Sequence, residues 1–161
     1  MRVAVAFTGP SNSGKTTIIE KVAQKLINTY KVAIVKNDPK DKAQFDTEGK
    51  DSYRFFQTGA EVVVTSPTRT TYFSHRRKSI DEIIEMIHDF DILLVEGLKY
   101  LPLPRIGVFR GELDPSYFGF IKAVAIDHTI DASQVPEHLD ILDLNDTDQI
   151  IQWILNNAQE V

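Results

Sequence analysis

The residues with the most chemistry stand together near the start of the chain: Gly9-Pro10-Ser11-Asn12-Ser13-Gly14-Lys15-Thr16 satisfies G-x-x-x-x-G-K-[ST] at every constrained place. Glycines at that spacing let backbone approach phosphate oxygens where a Cβ would block them. Successive N–H groups can then converge on one concavity, and a helix opening directly afterwards adds its positive N-terminal end. Lys15 supplies a mobile cation for β and γ phosphates. The Thr16 hydroxyl is placed to ligate Mg²⁺, and Thr17 can reach the α phosphate. The bland alternative is a glycine-rich turn beside a solvated lysine. It does not explain why the pattern falls between a buried apolar run and an amphipathic one. Nucleotide binding is the expected chemistry.

Other candidates depend on their place at strand ends. Glu96 follows the apolar run Ile92-Leu93-Leu94-Val95, at the C-terminal tip where open α/β sheets bind ligands. It could hold a magnesium-bound water or orient an attacking one, or stand as a solvated strand-end acid. Asp38, just beyond the second apolar run, is a similar metal candidate, or a loop cap before Pro39. Base identity is not written plainly, because no Asn-Lys-x-Asp string occurs. Asp127 could accept the paired N–H donors of guanine, or cap a turn. The cations Lys36, Lys50, Arg54, Lys99 and Arg105 fall near strand ends or in a long loop. They could meet a second phosphorylated ligand, or simply be solvated.

These side chains need a scaffold, and the periodicities supply one. Residues 3–7, 32–35, 92–95, 106–109, 123–126 and 141–144 are short apolar runs, as buried strands should be. Residues 14–29 carry Ile18, Ile19, Val22, Ala23, Leu26 and Ile27 at helical spacing. Residues 37–50 read as a long polar loop, 51–58 as a short helix closed by Gly59, and 61–65 with 70–73 as a hairpin. Ser79-Ile80-Asp81-Glu82 has capping-box spacing and opens another helix. A last helix begins near Asp146. The predicted class is α/β and P-loop NTPase-like. It is a mostly parallel sheet flanked by helices on both faces, with a small hairpin extension, in one domain over residues 1–161.

Composition narrows the function classes. The 161 residues are 42% hydrophobic and 25% charged, which excludes a disordered tail, a collagen repeat or a coiled coil. The net charge of −5 disfavours broad contact with nucleic acid or an anionic membrane. The absence of cysteine removes thiolate metal sites, disulfides and a cysteine nucleophile, and the four histidines fall at no metal-ligand spacing. No run reaches the length of a membrane span, so a soluble, cytoplasmic protein is expected.

A longer string is more discriminating than the phosphate loop. Phe45-Asp46-Thr47-Glu48-Gly49-Lys50-Asp51-Ser52-Tyr53-Arg54, followed by Gly59-Ala60, resembles the signature of the molybdopterin-guanine dinucleotide biosynthesis adaptor proteins, the MobB type. Leu94-Val95-Glu96-Gly97-Leu98-Lys99 and Leu142-Asp143-Leu144-Asn145-Asp146 are similar to theirs as well. The resemblance implies a GTP-binding, weakly hydrolysing protein that uses Mg²⁺, usually a homodimer. It would assist the molybdenum cofactor guanylyltransferase (the MobA type) that attaches GMP to molybdopterin. One departure is Lys36-Asn37-Asp38-Pro39-Lys40, where the family commonly carries histidines. Asp46, Lys50, Asp51, Arg54 and Lys99 are the expected second anion or pterin site, with Lys50 at the N-terminal end of the short helix. A small-molecule kinase is the alternative on the same phosphate loop. A nickel-chaperone-like metal-insertion GTPase is disfavoured by the missing cysteines.

Overall fold

The computed structural model describes residues Met1–Val161, which form two compact units: Met1–Asn37 with Asp89–Val161, and Asp38–His88. In the first unit, β1 (Val3–Thr8) leads through the glycine-rich loop into α1 (Lys15–Leu26) and then β2 (Val32–Lys36). After the second unit the chain returns with β5 (Ile92–Glu96), β6 (Arg105–Phe109), β7 (Ala123–Ile126) and β8 (Asp140–Asp143), then α4 (Thr147–Asn157) and β9 (Gln159–Glu160). The seven strands follow the order β2-β5-β1-β6-β7-β8, every neighbour parallel, with β9 antiparallel against the start of β1.

Alternation along the strands builds two apolar layers, since successive side chains point to opposite faces. Val5, Phe7, Ile92, Leu94, Ile106 and Val108 meet Ile18, Val22 and Leu26 of α1 and Ile150, Trp153 and Ile154 of α4. These helices are therefore held by their apolar stripes. On the opposite face Phe109, Val124 and Ile126 pack under Tyr117, Ile130, Val135 and Leu139. Two 3-10 turns, Pro115–Tyr117 and Ala132–Gln134, cover that face, started by the carboxylates of Asp114 and Asp131.

In the second unit, α2 (Asp51–Phe56) leads into the antiparallel pair β3 (Val62–Thr65) and β4 (Thr70–Phe73), then α3 (Ile80–Ile87). Ser79 and Glu82 close the anticipated capping box: each side chain accepts from the other's backbone N–H. Phe56 stacks on His75 with 3.8 Å between ring centroids. Glu61 receives the hydroxyls of Tyr72 and Ser74, and these bonds hold its carboxyl below the usual range. Most of this unit's side chains are exposed, with Val62 and Ile84 its buried apolar residues. No helix is long and apolar enough to cross a membrane.

Candidate functional site

Three backbone positions shape the loop after β1. Gly9 has φ +149°, Asn12 +61° and Gly14 +99°. A Cβ on Gly9 would stand 2.3 Å from the Val108 carbonyl oxygen, fixed backbone of the neighbouring strand, so only glycine fits there. Gly14 caps α1, yet no side chain caps the helix and no acid lies in its first turn. The first N–H groups of α1 are therefore left to an external acceptor. Ser13, 4% exposed, has its hydroxyl buried without a partner. Such a loop fits a polyphosphate: a cradle that a Cβ would fill, uncapped amides and a cation beside them.

That cation is Lys15. Its ammonium donates to Gly9 O at 2.6 Å and lies 3.6 Å from Glu96 Oε1. Glu96 is held at the tip of β5, which pairs directly with β1, so the sheet register brings Phe7 beside Glu96. Lys36, at the tip of β2 on the other side of β5, stands 3.8 Å from Glu96 Oε2. The two candidates with the most pointed roles, Lys15 and Glu96, are thus adjacent. Thr16 and Thr17 are exposed at the start of α1. Thr16 and Glu96 carry the oxygen donors that a hard cation such as Mg²⁺ would take.

Arg105 corrects the reading of it as a surface cation. It is 1% exposed and donates to Gly97 O at 2.6 Å, Leu98 O at 2.8 Å and Leu101 O at 3.3 Å. Burial lowers its pKa. Its guanidinium bonds the carbonyls of the turn that follows Glu96, in which Leu98 has φ +50°. A signal was present: Arg105 heads an apolar strand, a place where a solvated arginine does not belong.

Asp127 stands at the tip of β7 as expected, with both oxygens engaged. One accepts from the Thr129 hydroxyl and backbone N–H, and the other lies 3.2 Å from Arg110 Nε. The Thr129 hydroxyl, with Arg110 adding to it, keeps this carboxyl below its ordinary value. Arg110 was not anticipated; its guanidinium borders the phosphate loop, 3.4 Å from where a Gly14 Cβ would be. Lys99 lies over the Tyr117 ring at 4.3 Å from its centroid.

Asp38 belongs to the second unit, where its carboxylate accepts the Ala43 N–H at 2.7 Å. Asp46 accepts from Thr47 N and from Ser52 Oγ, tying the long loop to α2. Lys50 is the N-cap of α2, Asp51 lies in its first turn and Arg54 in its last, all exposed. A cavity of about 580 Å³ lies beside Asp46, lined by Asp38, Asp41, Glu48, Phe45 and Tyr53 among others, with no Lys or Arg in its wall. Four carboxylates and no cation oppose a phosphate inside that cavity.

A parallel sheet with the β1–loop–α1 arrangement and a carboxylate at the adjacent strand tip defines the P-loop NTPase class of α/β proteins. Within that class, residues 4–127 match the MobB family, Molybdopterin guanine dinucleotide synthesis protein B, and the chain belongs to that family. It is 31% identical to the molybdopterin-guanine dinucleotide biosynthesis adapter protein of Haemophilus influenzae, over 94% of this chain and 87% of that one. The corresponding Escherichia coli K12 protein is 28% identical, over 93% and 92%. The crystal structure of Bacillus subtilis MobB superposes with a TM-score of 0.76, covering 99% of each chain at 24% identity, a likeness of fold.

Proposed function

We propose that this chain binds GTP with Mg²⁺ on the loop Gly9–Thr17, hydrolyses it slowly, and acts as an adapter in the guanylylation of molybdopterin. The observation that carries this reading is the meeting of Lys15 and Glu96, 3.6 Å apart, over a loop whose first glycine admits no side chain. The relatives support the pathway, since they are adapter proteins of molybdopterin-guanine dinucleotide biosynthesis. Lys15 would leave the Gly9 carbonyl for the β and γ phosphates, and Glu96 would orient the attacking water. Thr16 would hold the metal, which when bound neutralises charge on the phosphate oxygens. The cations that face Glu96, Lys15 and Lys36, are ammonium groups without the bidentate fork of an arginine, and the guanidinium that borders the loop, Arg110, is paired with Asp127. Transition-state charge is then met incompletely, and turnover is slow. The partner in this reading is the molybdenum cofactor guanylyltransferase, and the working form a homodimer.

The test is calorimetry with GTP and with ATP in the presence of Mg²⁺, repeated for Lys15→Ala. The reading expects GTP to bind more tightly than ATP, and the variant to lose at least about tenfold in affinity, the loss of one charge-assisted contact or more. Equal binding by the variant, or no binding by the parent, would overturn it. A steady GDP release that depends on a small-molecule acceptor would instead favour the kinase alternative.

A further inference from the structure

We propose that the hollow beyond the tips of β6 and β7 receives the nucleotide's base, and that Glu112 reads the donor edge of guanine there. This rests on the reading of Gly9–Thr17 as a triphosphate site.

Direction comes first. Lys15 and Glu96 mark the terminal-phosphate end, and Glu96 stands on β5, on one side of β1. The nucleoside must leave on the other side, where the sheet order places β6 and then β7. Arg110, the first residue after β6, borders Gly14 on that side. From β5 to β7 is three strand spacings, about 14 Å, comparable to the reach of an extended nucleoside triphosphate.

A cavity of about 400 Å³ opens at that place, lined by Glu112, Leu113, Pro115, Phe118, Ile130 and Asp131 among others. Leu113, Phe118 and Ile130 offer apolar walls to the faces of a ring. Its two loops are already tied together, because Gly111 N donates to Thr129 Oγ1 at 2.7 Å.

The carboxylates nearby differ in what they have left to give. Asp127 is engaged by Thr129 and Arg110. Asp131 accepts from the Ser133 N–H at 2.9 Å and its hydroxyl at 2.8 Å, both through Oδ1, which leaves it a single open oxygen. Glu112 has no such commitment within the chain and is the carboxylate of the cavity wall with both oxygens open, as a pair of adjacent donors requires. A carboxylate only accepts, so it matches guanine's N1–H and 2-amino group, two donors side by side. Adenine offers an acceptor at N1 and would leave that oxygen facing a lone pair.

The experiment is calorimetry on the full chain with GTP, ATP, xanthosine triphosphate and inorganic tripolyphosphate, for the parent, Glu112→Gln and Glu112→Ala. An amide can donate to the 2-oxo group of xanthine, so Glu112→Gln should lose roughly tenfold or more in GTP affinity and gain a similar factor for xanthosine triphosphate. Glu112→Ala should lose GTP affinity without that gain, and tripolyphosphate binding should not change in either. An unchanged ratio of GTP to xanthosine triphosphate in Glu112→Gln, with triphosphate binding intact, would overturn this assignment alone. A parent that binds neither GTP nor tripolyphosphate would overturn the triphosphate site, and the base site with it.

Discussion

Replacing Arg105 by leucine should loosen the turn that carries Glu96 while leaving the phosphate loop's own residues in place. The guanidinium is 1% exposed and bonds three carbonyls, those of Gly97, Leu98 and Leu101. Leucine fills part of the volume but satisfies none of these acceptors. At about 1 kcal/mol net for each lost bond, the loss is about 3 kcal/mol. For a chain of 161 residues this corresponds to a fall in Tm of about 6–12 °C. Released from Arg105, Leu98 should also abandon its left-handed conformation, which costs about 1–2 kcal/mol in an L residue. Glu96, two residues earlier, would then no longer be held against Lys15. Thermal unfolding monitored by circular dichroism gives the first quantity. GTP turnover, measured well below both midpoints, gives the second and should fall more than GTP affinity does. A Tm within about 2 °C of the parent would refute the reasoning, since it would mean that fewer than one of the three bonds contributes.

Gly9→Ala should cost about 3 kcal/mol, because its methyl would meet the Val108 carbonyl at 2.3 Å and β6 cannot move away without breaking its pairing to β1; denaturant unfolding measures it, and a loss under about 1 kcal/mol would show that the strands yield. Asp127→Asn tests what the carboxylate's charge adds to its bonds with Thr129 and, secondarily, to its pairing with Arg110. The folded-state pKa of Asp127 lies below its unfolded value, so its contribution is complete above about pH 4 and fades as the pH falls further. The stability gap between parent and variant should therefore be constant near neutrality and close in acid, and a gap independent of pH would show that the carboxylate's charge adds nothing.

How much could be read beforehand differs by kind of residue. The strand β5, Ile92–Glu96, was plain because burial on both faces demands an unbroken apolar run, and Glu96 ended that run visibly. The Ser79–Glu82 cap and the β3–β4 hairpin were legible for a similar reason, because short-range chemistry determines both. Sheet order was not. That β5 lies between β1 and β2 follows from packing far apart in sequence, and the pairing of Lys15, Glu96 and Lys36 depends on it. Strand β9 was missed because two polar residues carry no periodic signal; only the open edge of β1 beside Val3 and Ala4 gives them a partner. Arg105 was read as a solvated cation because whether a charge meets water or backbone is decided by neighbours that composition does not reveal, whereas the turn-cap alternative for Asp127 is the local arrangement seen at Thr129.

The second unit enters the chain between β2 and β5, two parallel strands that lie side by side in register, Val32 opposite Ile92 and Lys36 opposite Glu96. Parallel neighbours need only a crossover of a dozen residues or so to be joined. Here that connection has grown into a body of its own, Asp38–His88, whose removal would leave every rung of the central sheet with its partner. The molecule is in that sense modular, with a replaceable bridge. A plain helical crossover grafted between Asn37 and Asp89 would make a minimal version that retains the loop Gly9–Thr17, and comparing the two would assign partner engagement to one module or the other.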